Sequence, residues 1–452
     1  MDARPHAVPW LALVVTLLAA VSSPHALGPQ AAAPGAPPIL GMDARDALFN
    51  RWLTSRFETI LPRLMQREGL DMWIVICREH AEDPVYPTLV PHPSMFAWRL
   101  TMLVYTNRGA GGVERLIVNP YGSGDLHKAF PAYYGSAFEP ASVDSWERLA
   151  QIVNARNPKT IAINESDTFA FADGLTASLK ARLVKALGPE YAARLVPSER
   201  LAVGWLETRT PAELDFYRDL VAMTHAIAAE AFSRRVITPG VTTIDDLESW
   251  VRQRYAALDV DTWFPPMFYI VRTASAGPAT RVVQRGDVLR CDIGITYVGL
   301  NSDIQEVAYV PREGETDVPQ GLKDALAKGN RLQDLLAGEF RACVACNTIL
   351  ASALKKARAE GLVPRIYSHP LGAHGHAAGS RIGLPDMQDG VPGMGDYPVY
   401  PDTVWAIELG VRVAIPEWNG QEVQLALEQD AAFSAAGVAF LDGRQTRFHV
   451  VR

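Results

Sequence analysis

The chain has few cysteines, no cluster of basic residues and no apolar run long enough to cross a membrane. Only 4 of its 452 residues are cysteine, too few for the disulfide framework of a small secreted domain. Lysine and arginine number 43 against 50 acidic residues, so nothing predicts binding to nucleic acid. With 48% hydrophobic residues, the composition is that of a globular protein long enough for two domains.

An apolar run from Trp10 to Val21 lies near the N-terminus. It is too short to span a bilayer as a helix. Arg4 precedes it and Ser22 and other small residues follow, which is the order of a secretory signal peptide. We predict a signal peptide at residues 1–27 and export to the periplasm or the cell exterior, with an uncleaved membrane anchor as the alternative. The Ala/Pro-rich residues 28–42 are predicted to be a linker.

Cys343 and Cys346 form a C-x-x-C pair. No second pair and no nearby histidine completes a zinc site with them. Two interpretations stay open, which are small residues entering a helix and a local disulfide in an oxidising compartment.

Helical and strand patterns alternate between residues 43 and 205, which predicts an α/β domain with helices covering a sheet. A second domain, residues 206–452, is predicted to begin at Thr210–Glu213, a capping box with proline at the first helical position. In the first domain the predicted helices are 45–68, 144–155 and 172–187, and the predicted strands are 72–77, 100–105, 115–118 and 160–163.

The second domain contains a weak internal repeat. Residues 234–258 and 338–361 each have the pattern of a helix end, a turn and a second helix, and strands with acidic residues follow both. This outline predicts two related αβ halves that face each other across a shared site. The fold class is therefore mixed α/β.

Val288 to Val310 contains two β-rich runs around Gly299, the pattern of an antiparallel hairpin. If the hairpin folds about residues 297–298, Asp292 and Asp303 lie opposite each other, with Cβ atoms roughly 5 Å apart. Like charges so placed repel, and burial in a sheet adds to the cost. A bound cation would offset both.

A simpler interpretation of this pair needs no cation. One carboxylate would be a solvated turn residue, and the other would pair with an arginine such as Arg290. The rest of the chain favours the cation.

Residues 404–430 form a second predicted hairpin, with its turn at residues 416–420. Glu408 and Glu428 lie equally far from Trp418, so they too are expected to face each other across antiparallel strands. Both have apolar neighbours, among which an unpaired carboxylate is costly. The arrangement of the first hairpin is thus repeated.

Three histidines, His369, His374 and His376, lie within eight positions of a glycine-rich segment, in a chain with only 10 histidines. Such clustering favours metal ligands or proton carriers over isolated structural histidines. Two carboxylate pairs and one imidazole suit two divalent ions bridged by carboxylates.

At these positions the chain resembles a known family, the creatinase / Xaa-Pro aminopeptidase / methionine aminopeptidase or pita-bread metallopeptidases. The resemblance lies in the motifs GDVLRCDIG, NSDI, SHPLG and AIELG. It covers residues 210–452 as the catalytic domain and about 43–200 as a creatinase-type N-terminal domain. The residues that match the five metal ligands of the family, in order, are Asp292, Asp303, His369, Glu408 and Glu428.

The resemblance implies a role for each of these residues. Asp292 would chelate one metal ion, His369 and Glu408 would hold the other, and Asp303 and Glu428 would bridge them. A metal-bridging hydroxide would attack the scissile carbonyl, with Glu408 or a neighbouring carboxylate handling its proton. His376, which matches the second active-site histidine of the family, would donate a hydrogen bond to the tetrahedral intermediate. Oxygen-rich ligation makes manganese the first choice, with cobalt, zinc and iron as alternatives.

Several positions around the ligands depart from the family pattern. The histidine expected ahead of the first aspartate, near Ser275, is absent. Gln305 to Val307 replace a Thr-Arg-Thr, Leu409 replaces a proline, and the arginine shortly before Glu428 is missing. The ligands are intact, but the surrounding shell that orients substrate and tunes the metal is altered.

Three functions remain. The leading hypothesis is a dinuclear metallopeptidase on short peptides, of the Xaa-Pro aminopeptidase or dipeptidase type, and a homodimer by analogy. Residues 263–268 would either wall a pocket for a proline ring or pack a loop. The missing histidine favours the second hypothesis, a non-peptidase relative acting on a small amidine, amide or sulfonium compound. The third is a metal-binding protein with little catalysis, against which the intact ligands argue.

Overall fold

The structure, a computed structural model, describes residues 37–452 apart from 95, 121–136, 139–143, 277–279 and 377–378. The predicted signal peptide and residues 28–36 of the predicted linker lie outside this part. No helix in the described part is long and apolar enough to cross a membrane. The α-helices are α1 (Met42–Ser55), α2 (Leu61–Arg67), α3 (Ser145–Arg156), α4 (Ala177–Ala192), α5 (Glu199–Glu207), α6 (Pro211–Ala231), α7 (Ile244–Ala257), α8 (Gln320–Ala337) and α9 (Cys346–Ala359).

The N-terminal part of the chain forms a mixed sheet with the spatial order β4-β3-β2-β1-β5-β6. The central strand is buried on both sides, since Trp73 and Val75 enter one hydrophobic core while Ile74 and Ile76 enter another. This explains why its sequence, MWIVIC, is apolar throughout instead of alternating. The strands are β1 (Met72–Arg78), β2 (Leu100–Asn107), β3 (Val113–Val118), β4 (Ala137–Phe138), β5 (Ile161–Ile163) and β6 (Leu195–Pro197).

The C-terminal part folds into smaller sheets. The strands are β7 (Met267–Val271), β8 (Val288–Ile293), β9 (Thr296–Tyr297), β10 (Leu300–Asn301), β11 (Ile304–Tyr309), β12 (Pro364–Ile366), β13 (His369–Leu371), β14 (Thr403–Ala406), β15 (Leu409–Ile415), β16 (Gln421–Leu427), β17 (Asp430–Ser434), β18 (Gly437–Phe440) and β19 (His449–Val450). Their spatial orders are β19-β11-β8-β7, β12-β15-β16 and β13-β14-β17-β18, with β9 and β10 as a separate pair. A bridge between Gln305 and Glu428 connects β11 with the end of β16.

The internal repeat predicted from the sequence is present as a repeated order of elements. Helices α6 and α7 precede β7, and helices α8 and α9 precede β12. Each unit has the predicted order of a helix end, a turn, a second helix and a strand.

Most predicted elements lie where the sequence placed them, with one clear exception. The predicted helix at 45–68 is α1, a π-helical turn at Arg56–Ile60 and α2. The helix predicted at 172–187 is wrong at its start, because α4 begins at Ala177. A 3-10 turn at Ala170–Ala172 precedes it, and Gly174 packs so closely on Asp83 that a Cβ atom would overlap its carboxylate. The division at residue 205 lies near the end of α5 and stays a prediction.

The predicted capping box at the start of α6 is part of a larger buried ion cluster. Glu213 accepts a hydrogen bond from the Thr210 amide at 2.7 Å, and its own amide donates to the Thr210 hydroxyl at 3.2 Å. Its carboxylate also pairs with Arg56 at 3.0 Å and with Arg209 at 3.1 Å. Burial raises the pKa of Glu213, but the two guanidinium groups outweigh burial and hold the pKa below its usual value.

This cluster yields a prediction about stability. Replacing Glu213 by glutamine leaves two buried guanidinium groups without a counter-charge, which should cost about 3–5 kcal/mol of unfolding free energy. Thermal unfolding followed by circular dichroism should show a clearly lower midpoint for Glu213→Gln. The matched control is Asp245→Asn, which removes an ion pair with Arg281 that is exposed to solvent and should leave the midpoint unchanged. Equal midpoints for the two variants would contradict the assignment.

Candidate active site

The first predicted hairpin forms, but with a different register. β8 and β11 pair so that Asp292 lies opposite Gln305. The predicted pairing of Asp292 with Asp303 is therefore wrong. The turn is at Val298 and Gly299, whose φ angles are 51° and 73°, as a two-residue type I′ turn requires.

Asp303 lies just ahead of β11, diagonally across from Asp292. The shift in register is two residues along the strand, and side chains alternate with a period of two. Both carboxylates consequently stay on the same face. Neither pairs with Arg290, whose guanidinium lies 4.1 Å from the centre of the Tyr269 ring, so the simpler interpretation of the sequence is not observed.

The second hairpin has the predicted register. β15 and β16 pair from Ile415 opposite Gln421 to Leu409 opposite Leu427, so the next two residues, Glu408 and Glu428, leave the strands facing each other. Two hydrogen bonds to its backbone carbonyl fix the position of Glu408. The carbonyl accepts from the amide of Tyr367 at 3.1 Å and from the side-chain hydroxyl of Ser368 at 2.9 Å.

His369 is at the first position of β13, which pairs with β14. Its Nε2 atom lies 3.5 Å from a carboxylate oxygen of Asp303, 3.5 Å from one of Glu428 and 4.0 Å from one of Glu408. Oxygens of Asp292, Asp303 and Glu428 lie within 4.8 Å of one another. The structure thus brings all five side chains that were predicted as metal ligands to one place.

Burying these carboxyl groups close to one another is electrostatically unfavourable. Burial, and after it the neighbouring carboxylates, raise the pKa of Asp303 and of Glu428 well above their usual values. Burial raises the pKa of Asp292 to about 6, and burial together with Asp292 raises that of Glu408 to about 8. Burial also lowers the pKa of His369, so that its imidazole is neutral.

The donor set fits divalent cations. Asp303 Oδ1, Glu428 Oε1 and His369 Nε2 are buried and have no hydrogen-bond partner among the described residues. Carboxylate oxygens and a neutral imidazole are ligands that manganese, iron, cobalt and zinc all accept. A cation among them would satisfy these atoms and reduce the repulsion between the carboxylates.

Gln305 is a contributor to the site that the sequence did not reveal as such. Its Nε2 atom donates to Glu408 at 2.7 Å and to Glu428 at 2.9 Å, and the residue is buried. One amide group therefore holds two of the candidate ligands. The sequence signal was present, since Gln305 replaces the first threonine of the family pattern, but its contact with the second hairpin depends on the fold.

A cavity of about 290 Å³ opens over this cluster. His376 lines it, and the His376 ring packs edge to face against His369 with ring centres 4.6 Å apart. Burial, and then the charge of Arg381, lower the pKa of His376 to about 4. The apolar side of the cavity consists of Trp263, Phe264, Met267, Leu384 and Pro385.

The third histidine of the predicted cluster has a different role. His374 stacks on Phe171, with ring centres 3.8 Å apart, and its Nε2 atom lies 3.2 Å from the carbonyl of Pro84. It is therefore held by the N-terminal part of the chain and does not line the cavity, so its interpretation as a ligand or proton carrier is wrong. Cys343 and Cys346 are both free thiols, which agrees with their interpretation as residues at a helix start.

Comparison with known proteins indicates the class of protein to which this sequence is similar. Residues 216–437 match the family model described as metallopeptidase family M24. No curated protein matches the chain. Solved structures match over nearly the whole length, although their sequence identities are low.

The X-Pro aminopeptidase from Thermotoga maritima superposes with a TM-score of 0.60 at 18% identity, covering 86% of this chain and 100% of its own. The Xaa-Pro dipeptidase from Bacillus anthracis gives 0.54 at 16% identity, covering 90% and 100%. The dipeptidase PepE from Mycobacterium ulcerans gives 0.54 at 18% identity, covering 90% and 98%.

The fold is thus that of the pita-bread enzymes, a mixed α/β architecture, as the sequence predicted. Residues 216–437 have the sequence pattern of metallopeptidase family M24. This match supports a peptidase that uses divalent metal ions.

The raised pKa values predict a pH effect on the metal-free protein. A carboxyl group whose pKa is higher in the folded state stabilises the fold at low pH, and this contribution is lost as pH rises through the folded pKa. With folded values of about 6 for Asp292 and about 8 for Glu408, the loss falls between about pH 4 and pH 8. After dialysis against a chelator, the melting temperature of the parent should therefore fall relative to that of Glu408→Gln as pH rises from 5 to 8. A constant difference between the two curves would refute the assigned environment of Glu408.

Proposed function

We propose that this protein is a dinuclear metal-dependent peptidase that cleaves short peptides, of the Xaa-Pro aminopeptidase or dipeptidase type. The observation that carries the proposal is the cluster of the predicted ligands. Asp303, Glu408 and Glu428 lie beside the neutral imidazole of His369, and Asp292 lies beside Asp303 and Glu428. Three buried donor atoms of this cluster have no partner in the described chain. The match of residues 216–437 to the M24 family supports peptide hydrolysis. Manganese remains the first choice of metal, and export and a homodimer remain predictions.

These five converging side chains would hold the two divalent ions. When bound, such ions polarise a carbonyl group and make water more acidic. The residues that fit this role are Asp292, Asp303, His369, Glu408 and Glu428.

Two side chains are suited to the proton and charge movements of hydrolysis. Water adds its oxygen to the acyl carbon, the peptide C–N bond breaks and a proton passes to the leaving amine. Glu408, the least buried of the candidate glutamates at 14% side-chain exposure, can take a proton from the water and deliver it to the nitrogen. His376, neutral at pH 7, can donate one N–H group to the developing oxyanion.

The cavity suits a small substrate with an apolar residue. At about 290 Å³ it is at the lower end of the range for small-molecule sites. Its aromatic and aliphatic wall consists of Trp263, Phe264 and Met267 with Leu384 and Pro385 and provides the apolar surface that a proline ring needs. These three residues of segment 263–268 favour its interpretation as a pocket wall, whereas Phe268 packs in the hydrophobic core.

Metal content and peptide hydrolysis test the proposal together. Purified protein loaded with manganese should bind close to two ions per chain by plasma emission spectroscopy and should hydrolyse Xaa-Pro dipeptides or longer Xaa-Pro peptides. Asp303→Ala and Glu428→Ala should each lose at least one ion, because each removes one of the buried carboxylates that would hold the ions. Glu422→Ala, an exposed position on the same hairpin, is the matched control and should keep both ions.

The alternative functions give a different outcome in this experiment. Two bound ions without hydrolysis of any peptide would favour a non-peptidase relative acting on a small amidine, amide or sulfonium compound, or a metal-binding protein with little catalysis. Protein that binds no metal in any form would refute the proposal.

The role of His376 is tested separately. His376→Ala should lower kcat by about 100- to 1000-fold, the usual cost of losing one donor to an oxyanion, with metal content retained and KM little changed. His374→Gln, which alters the neighbouring histidine outside the cavity, should keep a kcat near that of the parent. Full turnover by His376→Ala would show that its N–H group does not serve the intermediate.

A further inference from the structure

The indole of Trp263 lines the cavity over the candidate ligands, and its segment is fixed to the first hairpin. The Nε1 atom donates a hydrogen bond to the backbone carbonyl of Ser302 at 3.0 Å, one residue before Asp303. The preceding residue, Thr262, donates from its hydroxyl to the carbonyl of Gly294 at 2.9 Å, directly after β8. The segment is therefore tied to both strands of the hairpin that carries two of the candidate ligands.

The same indole covers the histidine segment of the site. It lies so close to the backbone of Gly375 that a Cβ atom at this position would overlap it. The ring of the next residue, His376, meets the indole edge to face, with ring centres 4.8 Å apart and planes at 72°. No hydrogen bond from a residue that the structure describes holds the imidazole of His376. Its orientation thus depends on two ring contacts, with Trp263 and with His369.

A role as apolar wall alone does not explain these contacts. Phe264 and Met267 give the cavity apolar surface with side chains that have no N–H or O–H group, and apolar contacts are not directional. The hydrogen bond from Trp263 to Ser302 fixes the indole in one orientation, which a wall does not require.

The chemistry assigned to His376 requires such a fixed neighbour. A donor to an oxyanion must lie about 2.7–3.1 Å from the oxygen on which the charge develops. A misplacement of about 1 Å can lower a rate by about 100-fold. A donor ring that no hydrogen bond from the described chain orients therefore needs a rigid side chain beside it.

We propose that Trp263 is a positioning residue that holds the imidazole of His376 in the orientation that serves the oxyanion; this inference rests on the proposed function. The indole takes no part in the chemistry. Through its bond to the carbonyl of Ser302, it ties the position of the imidazole to the strand that carries Asp303. One side chain thus keeps the oxyanion donor and the metal ligands in a common geometry.

Kinetics of the manganese-loaded enzyme on an Xaa-Pro dipeptide such as alanyl-proline test this role. Trp263→Leu should lower kcat by about 10- to 100-fold, because the imidazole loses the contact that orients it. Trp263→Phe, which keeps an aromatic ring but lacks the N–H group, should have a kcat between those of the parent and Trp263→Leu. Gly375→Ala places a methyl group where the indole lies and should also lower kcat. All three should keep the metal content of the parent.

A double-mutant cycle shows whether the effect passes through His376. If Trp263 orients this imidazole, Trp263→Leu should change kcat by less than about twofold in a His376→Ala background. If the indole acts only as a wall for the substrate, the two losses in kcat multiply, and that result overturns the inference. The matched control is Trp250→Leu, which alters a half-buried tryptophan on α7 outside the cavity wall and should keep the kcat of the parent.

Nuclear magnetic resonance of metal-free protein with isotope-labelled histidine gives a readout that does not depend on turnover. The signals of the His376 imidazole are those that disappear in His376→Ala. In Trp263→Leu these signals should shift, because the aromatic ring beside the imidazole is removed. The signals of His225, which bonds to Asp442 at 2.8 Å away from the cavity, should stay in place. Unshifted His376 signals in Trp263→Leu would contradict the inference.

These measurements separate the inference from the proposed function. Losses in kcat that multiply in the double variant would remove the role of Trp263 while peptidase activity stands. If two ions bind and no peptide is cleaved, or if His376→Ala keeps full turnover, the proposed function fails in whole or in part. The resonance comparison then decides alone whether Trp263 fixes the imidazole of His376.

Discussion

The repulsion among four carboxylates around one imidazole is the constraint on which the rest of this structure depends. Asp303 and Glu428 are almost fully buried, and their pKa values are raised first by that burial and then by neighbouring carboxylates. A fold does not gather such groups for stability, because uncompensated charges in a dry interior are among the most costly features a protein can have. The surrounding elements must therefore hold the carboxylates in place against a force that separates them.

Backbone pairing supplies this restraint. Glu428 follows β16 and is bridged to Gln305 of β11, while Glu408 is tied through its carbonyl to the segment that carries His369. The amide of Gln305 adds hydrogen bonds to both glutamates. Each side chain is thus fixed by an element other than its own hairpin, so that the geometry of the cluster belongs to the assembled domain and not to any single ribbon.

A structural feature could be predicted from the sequence when the residues that determine it lie close to it in the chain. The capping box at Thr210 and the register of the second hairpin were predicted correctly because turn and cap residues lie within a few positions of what they control. The first hairpin was misplaced because a type I′ turn is normally marked by Asn-Gly or Asp-Gly, and here Val298 adopts the positive φ. The predicted register was wrong by two residues, and because this number is even, both aspartates still lie on the predicted face of the sheet.

The remaining errors concern contacts between distant segments. His374 packs on Phe171 and Pro84, which lie more than 200 residues away in the chain, so its proximity to two site histidines was misleading. No sequence pattern indicated that Arg381 lies near the site, since its approach to His369 depends on one backbone bridge, between Ser368 and Ile382. The metal ligands could be found because a family motif records them, whereas the partners specific to this chain required coordinates.

The departures from the family pattern and the features of the cavity belong together. The missing histidine near Ser275 removes a polar contact to the substrate, while an apolar wall faces the same space. Recognition by the wall would be hydrophobic and tolerant of shape, because apolar contacts are not directional. A site with fewer polar contacts and an apolar wall should therefore select substrates by the apolar surface that they bury more than by hydrogen bonds.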